Sequence, residues 1–306
     1  MKTLTAKNRI SVVISAFNEE AKIEDCLKSA KLVADEIIFV DNGSTDKTPE
    51  IALKFTNKIF NKVNDTVLID TNKNYGFSQA KCDWILSLDA DERISDSLAK
   101  EIKTAIKNKI IQGYEIPRKN IIFGKWIENS IWWPDYNVRL FKNGSGKFPL
   151  NRVHEKITIK GTVAKLKNPI THYNYSSISQ YIRKLDLYTE SESLDYIRSK
   201  KDIQWFYALR WPFEDFLKTF FFQRGYKDGF HGLILSLFQA FYSFIVFAKV
   251  WEKKDNFKDL TPDNFLQNFI QELKNASRDL KYWIYTTLIE ESKSKNIIYK
   301  IRRKFR

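Results

Sequence analysis

The sequence predicts an α/β protein: a mostly parallel sheet interleaved with helices, followed by an aromatic-rich α-helical region. Three observations carry this expectation. Short β-branched runs alternate with amphipathic stretches through the first part of the chain, the pattern of strand–helix–strand units joined by right-handed crossovers. The run Trp84-Ile85-Leu86-Ser87-Leu88 is almost wholly apolar, as in a central strand buried on both faces, and it breaks into Asp89-Ala90-Asp91-Glu92. After His172 the texture changes to helical stripes crowded with Phe, Tyr and Trp.

In order, Ile10 to Ile14 reads as the first buried strand, ending in Ser15-Ala16-Phe17-Asn18-Glu19-Glu20. Asn18 is placed to cap the next helix, and Glu19 and Glu20 suit its positive end. Ile23, Cys26, Leu27 and Ala30 recur at helical spacing. Glu36 to Val40 is the second strand, running into the turn-rich loop Asp41-Asn42-Gly43-Ser44-Thr45-Asp46. Thr48 as cap and Pro49 at the first position open the next helix. Strands are expected again at Gly113 to Pro117 and Val138 to Phe141.

The acids at the strand ends carry the chemistry. Open α/β sheets bind ligands at the carboxyl ends of their strands, and Asp41 and Asp91 both fall there. Side chains alternate along an extended chain, so Asp89 and Asp91 point the same way, roughly 7 Å apart at Cα. Such a pair can share one hard divalent cation, Mn²⁺ or Mg²⁺, and the phosphate oxygens that it carries. No P-loop and no G-x-G-x-x-G follows the first strand, so a bound diphosphate is expected to be neutralised by metal on acids.

The chain has 306 residues, with 43% hydrophobic and 29% charged, the composition of a folded globular protein. Its 23 Phe, 14 Tyr and 8 Trp together with a net charge of +14 point to an anionic partner, either nucleic acid or a membrane surface. Two cysteines without Cys/His ligand spacing indicate neither a disulfide framework nor a zinc site, and the expected setting is reducing and cytoplasmic. No apolar signal segment follows the first lysines, so secretion is not expected.

Taken together, four motifs resemble the family 2 inverting glycosyltransferases of the GT-A fold: Ser15 to Glu20, Asp41 to Asp46, Lys73-Asn74-Tyr75-Gly76, and Asp83-Trp84 through Glu92. The lipopolysaccharide-core β-1,4-glucosyltransferase branch is the nearest likeness, because Arg139-Leu140-Phe141 and His154-Glu155 follow in its order. The resemblance implies a metal-dependent transfer of a hexose, glucose first among them, from a UDP-sugar to a lipid-linked or cell-envelope glycan. It implies that Phe17 stacks on uracil within the Ser15, Asn18 and Glu19 segment, and that Asp41 binds the base. It further implies that Asp89 contacts ribose or metal, that Asp91 is the main metal ligand, and that Lys73, where the family more usually has arginine, and Arg139 lie on the nucleotide.

An inverting transfer needs a base for the acceptor hydroxyl. Glu155, between His154 and Lys156 and near Arg152, is the expected base, with His154 as metal or phosphate contact and Asp135 in reserve. Trp126, Trp132 and Trp133 offer flat apolar faces suited to sugar rings or to a membrane interface, and Trp133 is taken as the substrate contact.

Ser177 with Gln180 reads as a capping box for a helix carrying Ile178, Tyr181, Ile182 and Leu185. Gly232 to Ala248 has no charge and is flanked by Arg224, Lys227 and Lys249. Basic flanks on both sides argue against a crossing and for a helix lying in an anionic membrane interface, peripheral on the inner face of the cell membrane. Thr261-Pro262 opens a last helix that either packs on the others or pairs two chains as a homodimer. The expected organisation is therefore a catalytic domain over residues 1–172, a helical interfacial region over 173–254, and a C-terminal helix with a basic tail over 255–306. The competing readings are a nucleic-acid-binding protein, which leaves the acidic rim unexplained, and a catalytically silent scaffold of the same fold.

Overall fold

The computed structural model describes residues 8–63, 70–150, 156–292 and 299. They form two compact units, Met1–Trp126 with Trp132–Ser176, and Ile127–Ile131 with Ser177–Arg306.

The first unit is the α/β part. Its strands are β1 (Ile10–Ala16), β2 (Glu36–Asp41), β3 (Ile59–Asn61), β4 (Trp84–Asp89), β5 (Glu92–Arg93), β6 (Gly113–Ile122), β7 (Lys125–Trp126), β8 (Asp135–Lys142), β9 (Gly146–Lys147), β10 (Thr158–Ile159), β11 (Val163–Lys165) and β12 (Ile170–Tyr175). Between them lie α1 (Ile23–Ala30), α2 (Thr48–Leu53), α3 (Thr71–Ser78) and α4 (Asp96–Ala105). The main sheet runs in the order β3-β2-β1-β4-β8-β6-β12-β5, with β7 and β11 also paired to β6. The β3, β2, β1 and β4 pairings are parallel, and β8 enters antiparallel between β4 and β6. This is the expected mixed, mostly parallel sheet, with β4 at its centre.

Period-two alternation explains why the strands are apolar throughout. Val12, Ile14, Phe39, Leu86 and Leu88 face one layer with Ile23, Cys26, Leu27 and Ala30 of α1, whereas Val13, Ile38, Val40 and Ile85 face the other with Phe77 of α3. Each such aliphatic side chain contributes about 1.5–3 kcal/mol by leaving water. Gly76 lets α3 lie close against the sheet, since a Cβ there would stand 2.5 Å from Val13 Cγ1. Cys26 and Cys82 are buried free thiols.

Several local expectations need correction. Asn18 does not cap α1, which starts at Ile23 after Lys22; its backbone is left-handed at φ 53° and its side chain turns to the loop after β2. Thr48 is the first residue of α2 rather than its cap. The last helix begins at Phe265, three residues beyond Pro262.

The second unit consists of α5 (Ile178–Arg198), α6 (Tyr207–Leu217), α7 (Phe230–Asp255) and α8 (Phe265–Glu291) with short connecting turns. Ser177 caps α5 as expected, its Oγ accepting from the Gln180 N–H at 3.2 Å. Of the α5 stripe, Tyr181 and Leu185 are buried while Ile178 and Ile182 are exposed. α7 is long and apolar enough to cross a membrane by length and composition, and 28% of its most apolar window is buried.

Candidate active site

Register assembles the site. Asp41 pairs with Ala16, and Asp89 pairs with Ser15, so β2, β1 and β4 end in one row at their carboxyl edge. Two strand spacings separate Asp41 from Asp89, about 10 Å. Loops after β1 and β2 are stitched together above this row. Asn18 Oδ1 accepts from the Thr45 N–H at 2.8 Å, and the Glu19 N–H donates to Thr48 Oγ1 at 2.8 Å. Ser15 Oγ and Asn72 Nδ2 both donate to Asn42 Oδ1, at 3.0 and 2.9 Å. Phe17, the first residue past β1, is 42% exposed, an apolar ring held open at the rim.

Asp41 divides its two oxygens. Oδ2 accepts from the N–H groups of Gly43 and Ser44 at 3.2 and 3.1 Å, a side-chain-closed turn in which Gly43 supplies the left-handed φ of 80°. Oδ1 is buried and has no hydrogen-bond partner among the described residues. A buried carboxylate oxygen without a donor costs free energy, and a ligand N–H would relieve it.

Asp89 is engaged by the protein itself. Its Oδ1 lies 2.9 Å from Lys73 Nζ and its Oδ2 accepts from Arg139 Nη2 at 2.6 Å. The same Nη2 reaches Glu92 Oε1 at 2.6 Å, and Glu92 Oε2 accepts from the Asp89 N–H at 3.0 Å. Lys73 also lies 3.3 Å from Asp70 Oδ1. Burial alone would raise the Asp89 carboxyl, but Arg139 and Lys73 outweigh it and hold it well below the ordinary carboxylate range. Burial raises Glu92 above its ordinary value, with Arg139 opposing. Burial pulls the Lys73 ammonium down, and Asp89 and Asp70 more than restore it. Arg139, only 7% exposed at its side chain, is thus the counter-ion that positions the acidic strand end.

Asp91 meets a different partner. His172 Nε2 lies 3.5 Å from Asp91 Oδ2, and His172 Nδ1 lies 2.7 Å from Asn120 Oδ1. Asn120 is fully buried and its Nδ2 donates to the Trp132 carbonyl at 2.8 Å, which fixes the orientation of the amide. Asn120 Oδ1 can only accept, so His172 Nδ1 carries the hydrogen and Nε2 is the nitrogen turned to Asp91. Sequence reasoning passed over His172 and Asn120. One of only three histidines, on a short β run after a turn, was a signal that could have found His172; Asn120 left none, because its role exists only through the parallel β6–β12 pairing.

The other expected residues fall as follows. Asp135, at the start of β8, has Oδ2 2.7 Å from Arg118 Nε and Oδ1 2.8 Å from Asn137 Nδ2. Trp133 is half-buried and packs edge-on to Trp126 at 5.5 Å, while Trp132 packs on Tyr175 at 6.2 Å. His154 and Glu155 lie outside the described residues. Among the described residues no group of three or more His, Cys, Asp or Glu side chains is gathered for a metal ion; Asp91 and His172 supply two donors suited to Mn²⁺ or Mg²⁺ only if phosphate oxygens, water or a further residue complete the shell.

A mixed, mostly parallel sheet with acids at the carboxyl ends of its strands is the GT-A-like arrangement that the sequence predicts. The sequence matches glycosyl transferase family 2 over residues 11–185, and the chain belongs to that family and is a glycosyltransferase. It is 28% identical over 288 residues to an uncharacterized glycosyltransferase of Rickettsia typhi, covering 89% of this chain and 97% of that one. It is 25% identical over 251 residues to the lipopolysaccharide core biosynthesis glycosyltransferase LpsC of Rhizobium meliloti, covering 80% and 92%. Among solved structures, S. aureus TarS 1-349 in complex with UDP-GlcNAc aligns over 77% of this chain and 81% of that one, at 16% identity and a TM-score of 0.45.

Proposed function

We propose that the chain is a metal-dependent, inverting hexosyltransferase that moves a sugar, glucose first among the candidates, from UDP to a lipid-linked or cell-envelope glycan at an anionic membrane surface. The observation that carries this reading is the buried Oδ1 of Asp41, without a hydrogen-bond partner among the described residues, on the same strand-end row as Asp89. Uracil offers an N–H where that oxygen needs one, Phe17 offers a ring to stack on it, and the spacing to the β4 edge suits the diphosphate. The name of the Rhizobium relative, a lipopolysaccharide core enzyme, supports the envelope acceptor.

In the reaction the acceptor hydroxyl attacks the anomeric carbon, the bond from that carbon to the diphosphate oxygen breaks, and the hydroxyl proton passes to a carboxylate. Asp91 and His172 would hold the divalent ion. When bound, it neutralises the charge developing on the departing UDP. Asp89, clamped by Lys73 and Arg139, is left to orient the ribose side and to keep Lys73 at the phosphates. Glu155 is the assigned base; Asp135 is the weaker candidate because Arg118 and Asn137 already occupy both its oxygens.

Calorimetry of UDP binding tests the reading. Mn²⁺ should tighten UDP at least tenfold, and Asp91→Ala or His172→Ala should abolish that gain and lower transfer by about 10³-fold. UDP binding indifferent to Mn²⁺, or salt-sensitive binding to oligonucleotides in its place, refutes it.

A further inference from the structure

α8 is a helix of 27 residues, none of which is buried. One of its faces is tied to the rest of its unit. Phe265 packs on Trp205 at 5.2 Å and Trp283 on Phe222 at 5.7 Å, while Glu272 pairs with Arg210 at 2.7 Å and Glu290 with Arg224 at 3.7 Å. Beside that face runs a second stripe, which the described residues leave exposed. Leu266, Ile270, Leu273, Ile284 and Leu288 recur at helical spacing and are 64, 43, 49, 36 and 39% exposed. Along its outer edge, at the same periodicity, stand the exposed Lys274, Arg278 and Lys281. The acids Glu272, Asp279 and Glu290 lie on the opposite edge, toward the tethered face, while Glu291, at the C-terminal end of the stripe, is paired with Lys227 at 3.2 Å.

Apolar side chains cost free energy in water, so a row of five that the chain leaves open calls for an occupant. Its basic border selects which one. A second copy laid antiparallel on the stripe would bring two lysine rows together, whereas an anionic lipid headgroup layer meets them with opposite charge while the acyl boundary takes the leucines and isoleucines. α7 repeats the theme: its exposed large residues Phe230, Leu237, Phe241 and Phe244 fall on one face of the helix.

We propose that α8 is a membrane-docking helix that lies flat in an anionic bilayer interface, with Leu266, Ile270, Leu273, Ile284 and Leu288 in the acyl boundary and Lys274, Arg278 and Lys281 on lipid phosphates. The inference rests on the reading of a membrane-borne acceptor given above and names the element that meets the membrane. Lysines contribute to such binding in proportion to the anionic lipid present, and the apolar stripe contributes on any lipid.

Flotation of the full chain with phosphatidylcholine vesicles, with and without phosphatidylglycerol, tests it. The chain should partition at least tenfold more strongly to the anionic vesicles, and raised salt should reduce that preference. The triple change Leu266→Gln, Ile270→Gln, Leu273→Gln should lower partition at least tenfold on both vesicle types. Lys274→Glu with Lys281→Glu, two exposed positions outside the tethered face, should lower it at least tenfold on anionic vesicles alone. UDP binding serves as the control and should stay unchanged in every variant. Absence of flotation by the wild type, or variants that float as it does, overturns the proposal. So does a dimer in sedimentation that the triple change converts to monomer, since that assigns the stripe to a second copy. Flotation that persists in a chain that does not bind UDP would leave the docking helix standing and refute the transferase reading alone.

Discussion

Two regions of the acidic rim, one built around Asp89 and the other on Asp41 and Asp91, meet their charges in different ways. The cluster of Asp89, Glu92, Lys73 and Arg139 is closed: each carboxylate has a cation, and the charges answer one another inside the fold. Asp41 Oδ1 is open, a buried acceptor with no hydrogen-bond partner among the described residues, and Asp91 faces an imidazole nitrogen of His172 at 3.5 Å. The comparison teaches that an Asp-x-Asp motif need not be a symmetric clamp. Its first acid is held at the strand end by Lys73 and Arg139, while its second faces His172 from a different strand.

Breaking the closed cluster should have the largest effect. Arg139→Ala strands Asp89 and Glu92 without their shared counter-ion, and loss of one partner of a buried ion pair costs about 3–5 kcal/mol. Urea unfolding should show that loss, and a variant as stable as the wild type would mean that the cluster is not closed. Changing the open row should leave stability nearly intact and act on ligand binding. Asp41→Asn keeps a side-chain oxygen for the Gly43 and Ser44 N–H groups but removes the charge offered to uracil. UDP binding by calorimetry should weaken about 10- to 100-fold, which corresponds to about 1.4–2.8 kcal/mol.

The smallest effect is a pH dependence. The folded-state pKa of Asp89 is depressed, so its contribution to stability is present above the unfolded value of about 3.9 and is lost as pH falls through the folded value. Glu92, raised by burial, works in the opposite sense, being most favourable when protonated and costing stability as pH rises through its folded value. The difference between wild type and Asp89→Asn isolates the first term. Their stabilities should converge as pH is lowered below about 4, and curves that stay parallel would show that Asp89 is not held by cations.

Much of this was legible in the residues. Apolar runs at period two and stripes at helical spacing placed β1, β2, β4, α1 and the capped start of α5, because burial on both faces or on one stripe writes itself into composition. Asn18 misled because an asparagine before a helix and an asparagine in a left-handed turn look alike in sequence, and only the bond from the Thr45 N–H separates them. The stripe on α8 shows the same ambiguity: Phe265 and Trp283 pack within the unit while Leu266, Ile270 and Leu273 are left open, and hydropathy alone ranks them equally.

By itself, then, the sequence determined the parallel strand–helix units of the first half, the delivery of Asp41, Asp89 and Asp91 to strand ends on one edge, and the family to which the chain belongs, since these follow from local periodicity and from motifs in a fixed order. Only the tertiary structure decided how the acids divide their work. Arg139 arrives from β8, antiparallel to β4, and His172 and Asn120 from β12 and β6, whose parallel pairing joins segments 52 residues apart. The charge state and partners of a buried carboxylate depend on what is packed against it, and that is set by long-range strand pairing rather than by neighbours in sequence.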